Sequence, residues 1–280
     1  RTDLDGELEG GEGLVIALEG LQRPGAPVDE LGGVIGKAAA HLGLGEGGAD
    51  GRGTMKELLG GKGAGLAEMS RLGLPVPPGF TISTEVCSYY VQNQKRYPKV
   101  VAGEVARAMQ RLEQATGKRF GDERDPLLVS VRSGARVSMP GMMDTVLNLG
   151  LNARTVRGLA AASRDGRFAW DAYRRFVHMY ADVVLGLKQQ RCDSFDPFGH
   201  ELEELKKRRR AGADTELTAD DLRGLVERYL AIVRERTGRV FPEDPGEQLW
   251  GAIGAVFDSW NTERAVVYRQ LNGIPHHWGT

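Results

Sequence analysis

The stretch VSVRSGARVSMPGMMDTVLNLG, residues 129–150, predicts a buried strand, a loop and a second strand. Arg132 lies at the end of the first strand, after the apolar run Leu127 to Val131. A planar guanidinium held rigidly at such a strand end can donate two parallel hydrogen bonds to one phosphate group. Arg132 is therefore a candidate anion-binding residue.

The loop SMPGMMDT, residues 138–145, places methionines around Pro140 and Gly141. Flexible apolar side chains at the tip of a turn lose burial, so their presence there needs a reason. One interpretation is a hairpin whose methionines pack against the core. The other is a mobile lid over a nucleotide, with its methionines on an apolar surface and Gly141 and neighbouring amides facing phosphate.

A second candidate lies upstream, in LLGGKGAGLAEM, residues 58–69, where glycines surround Lys62. Glycines let the backbone approach an anion closely, and a helix predicted to begin near Leu66 adds a partial positive charge. A Walker loop is excluded, because Lys56 replaces its first glycine and Gly63 replaces its hydroxyl residue. No clear strand precedes the glycines, so a dinucleotide fingerprint is excluded as well. A phosphate site and an ordinary glycine turn with a surface lysine both remain open.

Composition restricts the function classes. The 280 residues are 41% hydrophobic and 27% charged, with a net charge of −1, as in ordinary globular proteins. So small a net charge gives no global attraction to polyanions or acidic membranes, and phosphate binding must be local. No apolar run approaches the roughly 20 residues of a membrane span, and no signal peptide is recognisable. We interpret the chain as cytoplasmic, with no membrane partner.

Cysteine and histidine spacing does not predict a disulfide framework or a zinc site. Cys87 and Cys192 are far apart and belong to no CxxC pair. His276 and His277 are adjacent and are expected to face solvent. The basic run LKKRRRAG, residues 205–212, follows the acidic HELEEL, and we interpret it as a solvated helix end, with nucleic-acid contact as the alternative.

Apolar spacing and stop signals predict the remaining elements. PVPPGFTIST, residues 75–84, is expected to turn into a strand, and residues 101–116 to form a helix that stops at Gly117. Helices are also expected over 153–191, over 218–236 with Thr218 as the cap, and over 245–270 with Trp250 and Trp260 in the core. Strands early and helices later predict an α+β fold with a helical insertion.

Four blocks of this sequence resemble, in order, the nucleotide-binding domain of the pyruvate, phosphate dikinase family. They are residues 55–84, 129–152, 167–184 and 241–280, and the resemblance covers roughly residues 46–280. The pairing of GGKG with VRSGARVSMPGMMDT is the specific feature. The related phosphoenolpyruvate synthases share the GGK element and a similar arginine strand, but lack SMPGMMDT.

The resemblance implies an ATP-grasp-like fold and the reaction of ATP, pyruvate and phosphate to AMP, phosphoenolpyruvate and diphosphate, with Mg²⁺ and a phosphohistidine carrier. It implies that Lys62 and Arg132 are the catalytic cations. For Arg175, a surface ion pair with Asp171 or Asp182 is the open alternative. The further ATP- or phosphate-binding residues that it implies are Gly61, Gly63, Ser138, Met139, Gly141, Met142, Met143 and Arg175.

The resemblance also sets domain boundaries and partners. Residues 1–45 form an unplaced Gly/Glu-rich segment, 46–152 an α/β part, 153–236 a mainly helical subdomain and 237–280 a helical return segment. Because the sequence opens with Arg1 and stops at WGT, we expect a fragment. The magnesium ligands, the phosphohistidine domain, the pyruvate barrel and a homodimer contact are then expected beyond Thr280. A water-dependent phosphoenolpyruvate synthase and a non-catalytic binding module are the alternatives.

Overall fold

A computed structural model describes residues 14–18, 40–42, 51–74, 76–135, 139–187 and 195–275. Its main sheet has the strand order β2-β3-β1-β6-β7, and a two-stranded sheet pairs β4 with β5. The strands are β1 (Leu14–Leu18), β2 (Ala40–Leu42), β3 (Gly79–Ile82), β4 (Arg119–Phe120), β5 (Pro126–Leu127), β6 (Val129–Ser133) and β7 (Thr145–Leu149).

Three parallel strands form the centre of the main sheet. β1 runs parallel to both β3 and β6, and its residue Leu18 pairs with Ile82 on one side and Ser133 on the other. β2 and β7 close the two edges in the antiparallel sense. The carboxyl ends of β1, β3 and β6 therefore meet at one edge of the sheet. β1 and β2 come from the segment that sequence analysis left unplaced.

Helices cover much of the described chain and dominate after residue 150. They are α1 (Lys56–Arg71), α2 (Thr84–Gln92), α3 (Val101–Thr116), α4 (Thr155–Ser163), α5 (Gly166–Val183), α6 (Pro197–Arg209), α7 (Ala219–Thr237), α8 (Pro245–Ser259) and α9 (Glu263–Leu271). This mixture of a small sheet with later helices agrees with the predicted α+β class.

Local signals account for several helix ends. Thr218 caps α7 through a capping box, in which its hydroxyl accepts from the Asp221 amide while the Asp221 carboxylate accepts from the Thr218 amide. Aspartates cap α5, α6 and α8 in the same accepting role. Gly117 and Gly238 end α3 and α7 in the left-handed conformation, with φ of 68° and 67°. The predicted cap at Thr218 and the predicted stop at Gly117 are confirmed.

Two other helical predictions had different outcomes. The basic run lies at the end of α6, where Lys206 and Lys207 pair with Glu203 and Glu204 one turn earlier, so the predicted solvated helix end is confirmed. The single helix predicted over 245–270 is wrong, because the chain breaks at 260–262 and continues as α9. His276 and His277 lie outside the described residues.

The core joins the sheet to the helices. α8 and α5 pack on the sheet, and α7 packs on α5. Trp260 is buried, and Trp250 is half-buried and packs against the large hydrophobic core. Both tryptophans therefore lie in core positions, as predicted. Among the described residues, no helix combines the length and apolarity that crossing a membrane requires.

Candidate functional site

Lys62 is positioned by a break in α1. Gly60 has φ of 71°, a left-handed value that favours glycine, and helical geometry resumes directly after it. The helix was expected to begin near Leu66, so that prediction placed it too late in the chain. Because the new start lies at Gly61, the amides of Gly61, Lys62 and Gly63 form a first turn, which carries the partial positive charge of a helix N-terminus.

The side chain of Lys62 reaches the end of β6. Its Nζ donates a hydrogen bond of 2.7 Å to the main-chain oxygen of Ser133, the residue directly after Arg132. The two residues are 71 positions apart in the sequence. Lys62 on α1 thus contacts β6, the strand that carries Arg132.

Arg132 occupies a half-buried position between the fully buried Val131 and Ser133 on β6. Its Nε is buried and has no hydrogen-bond partner among the residues that the structure describes. Leaving a buried donor of a charged group unpaired costs more than about 1–3 kcal/mol. A ligand oxygen at this strand end would remove that cost.

The carboxyl ends of the parallel strands bring further polar groups to the same edge. Ser83 follows β3 directly, and its buried hydroxyl has no hydrogen-bond partner within the described part of the chain. Ile82 and Ser133 flank Leu18 on adjacent strands, so they lie about 10 Å apart at the usual strand spacing. Ser83 was not among the candidate site residues predicted from the sequence. The signal that could have identified it is a hydroxyl residue directly after an apolar strand.

Gly63 allows close packing between α1 and the sheet. A Cβ at Gly63 would lie 3.0 Å from Oγ1 of Thr81 in β3. Thr84, after β3, donates from its hydroxyl to the main-chain oxygen of Glu57 at 3.0 Å. These contacts hold α1 against β3 and the start of α2, with Glu57 before the break at Gly60 and Gly63 after it.

The methionine loop, defined here as residues 139–144, packs on a small apolar cluster. Met139 is buried with Trp260 and Ile274, and Met142 and Met143 are half-buried against the same cluster. The loop joins β6 to β7, so the predicted hairpin is confirmed and its methionines pack, as the first interpretation requires. Ser138 lies outside the described residues.

The tip of the methionine loop is exposed. Gly141 has φ of 73°, and no described residue lies within 4 Å of the position that a Cβ would take. Pro140 is exposed beside it. The anchored methionines and the exposed tip are compatible with a loop that covers a ligand, and this role stays a prediction.

Arg175 forms a surface ion pair. It lies on α5 with its side chain 61% exposed, and its Nε is 2.9 Å from Oδ2 of Asp171. The same carboxylate also accepts from the buried Arg174. This is the alternative that the sequence left open, and a nucleotide role for Arg175 stays a prediction.

The described residues do not fit a magnesium site. No group of three or more histidine, cysteine, aspartate or glutamate side chains converges within them. A cleft of about 670 Å³ lies between α6 and α7 and is lined partly by Arg208, Arg209 and Arg228. This cleft includes neither Lys62 nor Arg132.

Comparison with known proteins identifies the domain. The family described as "Pyruvate phosphate dikinase, AMP/ATP-binding domain" matches residues 56–102 and 94–279. Pyruvate, phosphate dikinase from Rhizobium meliloti is 51% identical over 237 residues, which are 85% of this chain and 26% of that protein. The Clostridium symbiosum enzyme is 48% identical over 232 residues, 82% of this chain and 26% of that protein.

A plant relative extends the match further along the chain. Pyruvate, phosphate dikinase 1, chloroplastic, from Arabidopsis thaliana is 49% identical over 273 residues, 95% of this chain and 28% of that protein. The chain thus spans about a quarter of the length of these relatives. With Lys62, Arg132 and the methionine loop all inside the matched region, the chain belongs to the pyruvate, phosphate dikinase family and corresponds to its AMP/ATP-binding domain.

Proposed function

We propose that this chain is the ATP-binding portion of a pyruvate, phosphate dikinase. In the proposed reaction a histidine takes a pyrophosphoryl group from ATP, leaving AMP. The group is then divided: one phosphoryl passes to phosphate, giving diphosphate, and the other passes to pyruvate, giving phosphoenolpyruvate. Lys62 and Arg132 hold the nucleotide phosphates. The proposed further contacts come from Gly61, Gly63, Ser138, Met139, Gly141, Met142, Met143 and Arg175.

One observation carries this proposal: the Lys62 ammonium donates to the main-chain oxygen of Ser133, the residue directly after Arg132, and the buried Nε of Arg132 has no partner among the described residues. Two cations and a helix N-terminus at one edge of a parallel sheet match the general location of phosphate sites. Fixed positive groups of this kind stabilise the charge that develops on transferring phosphates.

The proposal includes Mg²⁺, with its protein ligands outside the described part of the chain. Bound Mg²⁺ would neutralise the phosphate oxygens and help to position them. We propose, as the resemblance implies, that the ligands lie beyond Thr280, and we derive no step through the metal.

The wider assignments belong to the same proposal. We propose an ATP-grasp-like fold, the domain boundaries at 45, 152 and 236, and a cytoplasmic location. The proposed partners are a phosphohistidine domain, a pyruvate-binding barrel and a second copy of the chain. The 51% and 48% identities to dikinases favour this reaction over the phosphoenolpyruvate synthase alternative.

The test uses the full-length protein that the proposal implies. Arg132→Ala is expected to slow ATP-driven phosphorylation of the enzyme by at least about 100-fold, the scale of removing one preorganised donor to transition-state charge. Phosphorylation of the enzyme by phosphoenolpyruvate should remain at the wild-type rate. Arg132→Lys keeps the positive charge but cannot form bidentate hydrogen bonds, so it should recover only part of the activity.

Arg111→Ala provides the control, because Arg111 is an exposed arginine on α3. It should leave both half-reactions unchanged. Equal losses in the two half-reactions of Arg132→Ala would count against the assignment. Release of phosphate in place of diphosphate would favour the synthase alternative.

A further inference from the structure

Arg264, at the start of α9, contacts the methionine loop through two hydrogen bonds. Its Nε donates to the main-chain oxygen of Met142 at 3.2 Å, and its Nη2 donates to the carboxylate of Asp144. These residues are 122 and 120 positions away in the sequence. One guanidinium therefore fixes a main-chain group and a side chain of the same short loop.

The end of α8 provides a third polar contact to the loop. The amide of Asp144 donates to Oγ of Ser259 at 3.3 Å, and that hydroxyl donates to the main-chain oxygen of Val256 at 2.7 Å. The sulfur of Met143 lies 3.9 Å from the same hydroxyl. Ser259 is buried, so these contacts are shielded from water.

The apolar support under the loop is rigid. Met139 packs on Trp260, and the guanidinium of Arg269 lies 4.2 Å from the centre of the Trp260 ring. Arg269 is fully buried and also donates to the Trp260 main-chain oxygen. A cation above an indole ring is attracted to it, which favours this position of the Trp260 ring. The corner between α8 and α9 therefore gives the loop a packed base.

We propose that Arg264 is a positioning residue that latches the methionine loop over the phosphate site, with Asp144 as its partner. The proposal rests on the function proposed above. Pro140 and Gly141 form the exposed tip, and no described residue comes within 4 Å of the position that a Cβ of Gly141 would take, whereas both flanks of the loop are held. Arg264 acts through the loop, and it does not itself contact phosphate.

The double contact distinguishes this latch from an ordinary surface ion pair. An isolated exposed pair contributes about 0–1 kcal/mol, because solvent screens it and two side chains lose freedom. Arg264 is only 38% exposed and Asp144 only 20%. The hydrogen bond to the main-chain oxygen of Met142 adds a second contact, which an isolated ion pair lacks. Removal of the guanidinium should therefore release the loop.

The test is hydrogen exchange of the loop in the full-length protein, combined with the kinetics of ATP-driven phosphorylation. Arg264→Ala is expected to speed exchange of the amides in peptide 139–149 by about 5–30-fold, and to lower kcat more than it changes the KM for ATP. Asp144→Ala should have a smaller effect of the same kind. The double variant should be no worse than Arg264→Ala, because the described ion pair of the Asp144 carboxylate is with Arg264 and is already lost in Arg264→Ala.

Arg264→Lys keeps the charge but cannot reach both acceptors with one planar group, so it should fall between wild type and Arg264→Ala. Arg111→Ala is again the matched control and should exchange like wild type. If Arg264→Ala fails to fold, Asp144→Ala decides the question through the same two measurements.

Wild-type exchange or an unchanged kcat in a folded Arg264→Ala or Asp144→Ala variant would overturn the latch. That result is distinct from failure of the proposed function. If Arg132→Ala abolishes the ATP half-reaction while the latch variants behave as wild type, only the latch is wrong. If Arg132→Ala leaves the ATP half-reaction intact, the proposed function is wrong.

Discussion

Gly63 and Gly65 lie two positions apart on α1 and have different surroundings. A Cβ at Gly63 would lie 3.0 Å from Oγ1 of Thr81 and 3.3 Å from Cβ of Leu59. At Gly65 no described residue lies within 4 Å of that position. The two glycines therefore have different reasons to be there, although the sequence presents them alike.

Alanine at each position separates these reasons. Gly63→Ala should lower the free energy of unfolding by about 1–3 kcal/mol, because α1 must move away from β3 to admit the methyl group. Gly65→Ala should raise it by about 0.4–1 kcal/mol, because the unfolded chain loses freedom and no contact is strained. Urea unfolding of the two variants measures both changes. Equal stabilisation by both alanines would contradict the packing of α1 on Thr81.

Single residues also show how much of the site the sequence predicts. Lys62 and Arg132 were identifiable because a cation beside glycines and an arginine after an apolar strand have local signatures. Ser83 and Arg264 were not predicted as site residues. A serine that precedes a helix and an arginine within a helix both have ordinary structural explanations. Arg175 was selected on resemblance, and its described partner is Asp171.

At the scale of elements, α7 provides the clearest agreement between sequence and structure. Its capping box joins Thr218 to Asp221, and Arg209 at the end of α6 donates to the same carboxylate. Thr218→Ala should lower the free energy of unfolding by about 1 kcal/mol, the usual cost of losing a cap. Thermal unfolding of Thr218→Ala and of Thr218→Ser measures it, and the serine variant should retain most of the stability. Equal losses in the two variants would point to packing of the threonine methyl group.

The same carboxylate gives α7 a pH dependence. Burial raises the pKa of Asp221, but hydrogen bonds from Thr218 and Arg209 outweigh it, so the pKa lies below its usual value. A lowered folded-state pKa adds stability above the unfolded pKa of about 3.9, and this stability is lost as the pH falls through the folded value. Asp221→Asn should therefore be less stable than wild type at pH 7, with a difference that shrinks below about pH 4.

Unfolding temperatures between pH 3 and pH 7 measure this dependence. Asp220→Asn is the matched control, because the neighbouring Asp220 side chain is 83% exposed. A stability difference between wild type and Asp221→Asn that stays constant with pH would contradict the role of the charged carboxylate.

Boundaries were predictable where a residue carries the signal locally. Thr218 marks a helix start because its side chain accepts from a backbone amide, and Gly117 marks a helix end because glycine readily adopts the positive φ found there. The break in α1 at Gly60 was not predictable, because any of several neighbouring glycines could have adopted the positive φ. The break between α8 and α9 was missed because the apolar pattern continues through Trp260.

At the scale of the whole molecule, Gln248 joins the helical part to the sheet. Its Oε1 accepts from the amide of Gly150, and its Nε2 donates to the main-chain oxygens of Leu151 and Pro242. The side chain is fully buried. The end of β7 is thus held to α8 by one amide group with three satisfied partners.

Gln248→Leu should destabilise the protein by about 3 kcal/mol or more, because a leucine of similar size leaves three buried backbone groups without a partner. Gln114→Leu, at an exposed position of α3, is the control and should change stability by less than about 0.5 kcal/mol. Urea unfolding measures both variants. A cost for Gln248→Leu as small as that of Gln114→Leu would show that the link contributes little.

The sequence by itself determined some local features: the cation among glycines, the arginine after an apolar run, the cap at Thr218, the stop at Gly117 and two strands joined by the methionine loop. Each depends on interactions within a few residues, which spacing and residue type encode. Only the tertiary structure decided that Lys62 meets Ser133 across 71 residues and that Arg264 meets Asp144 across 120. Those contacts depend on strand order and on the helix break at Gly60, which periodicity does not specify because many arrangements would bury the same apolar residues.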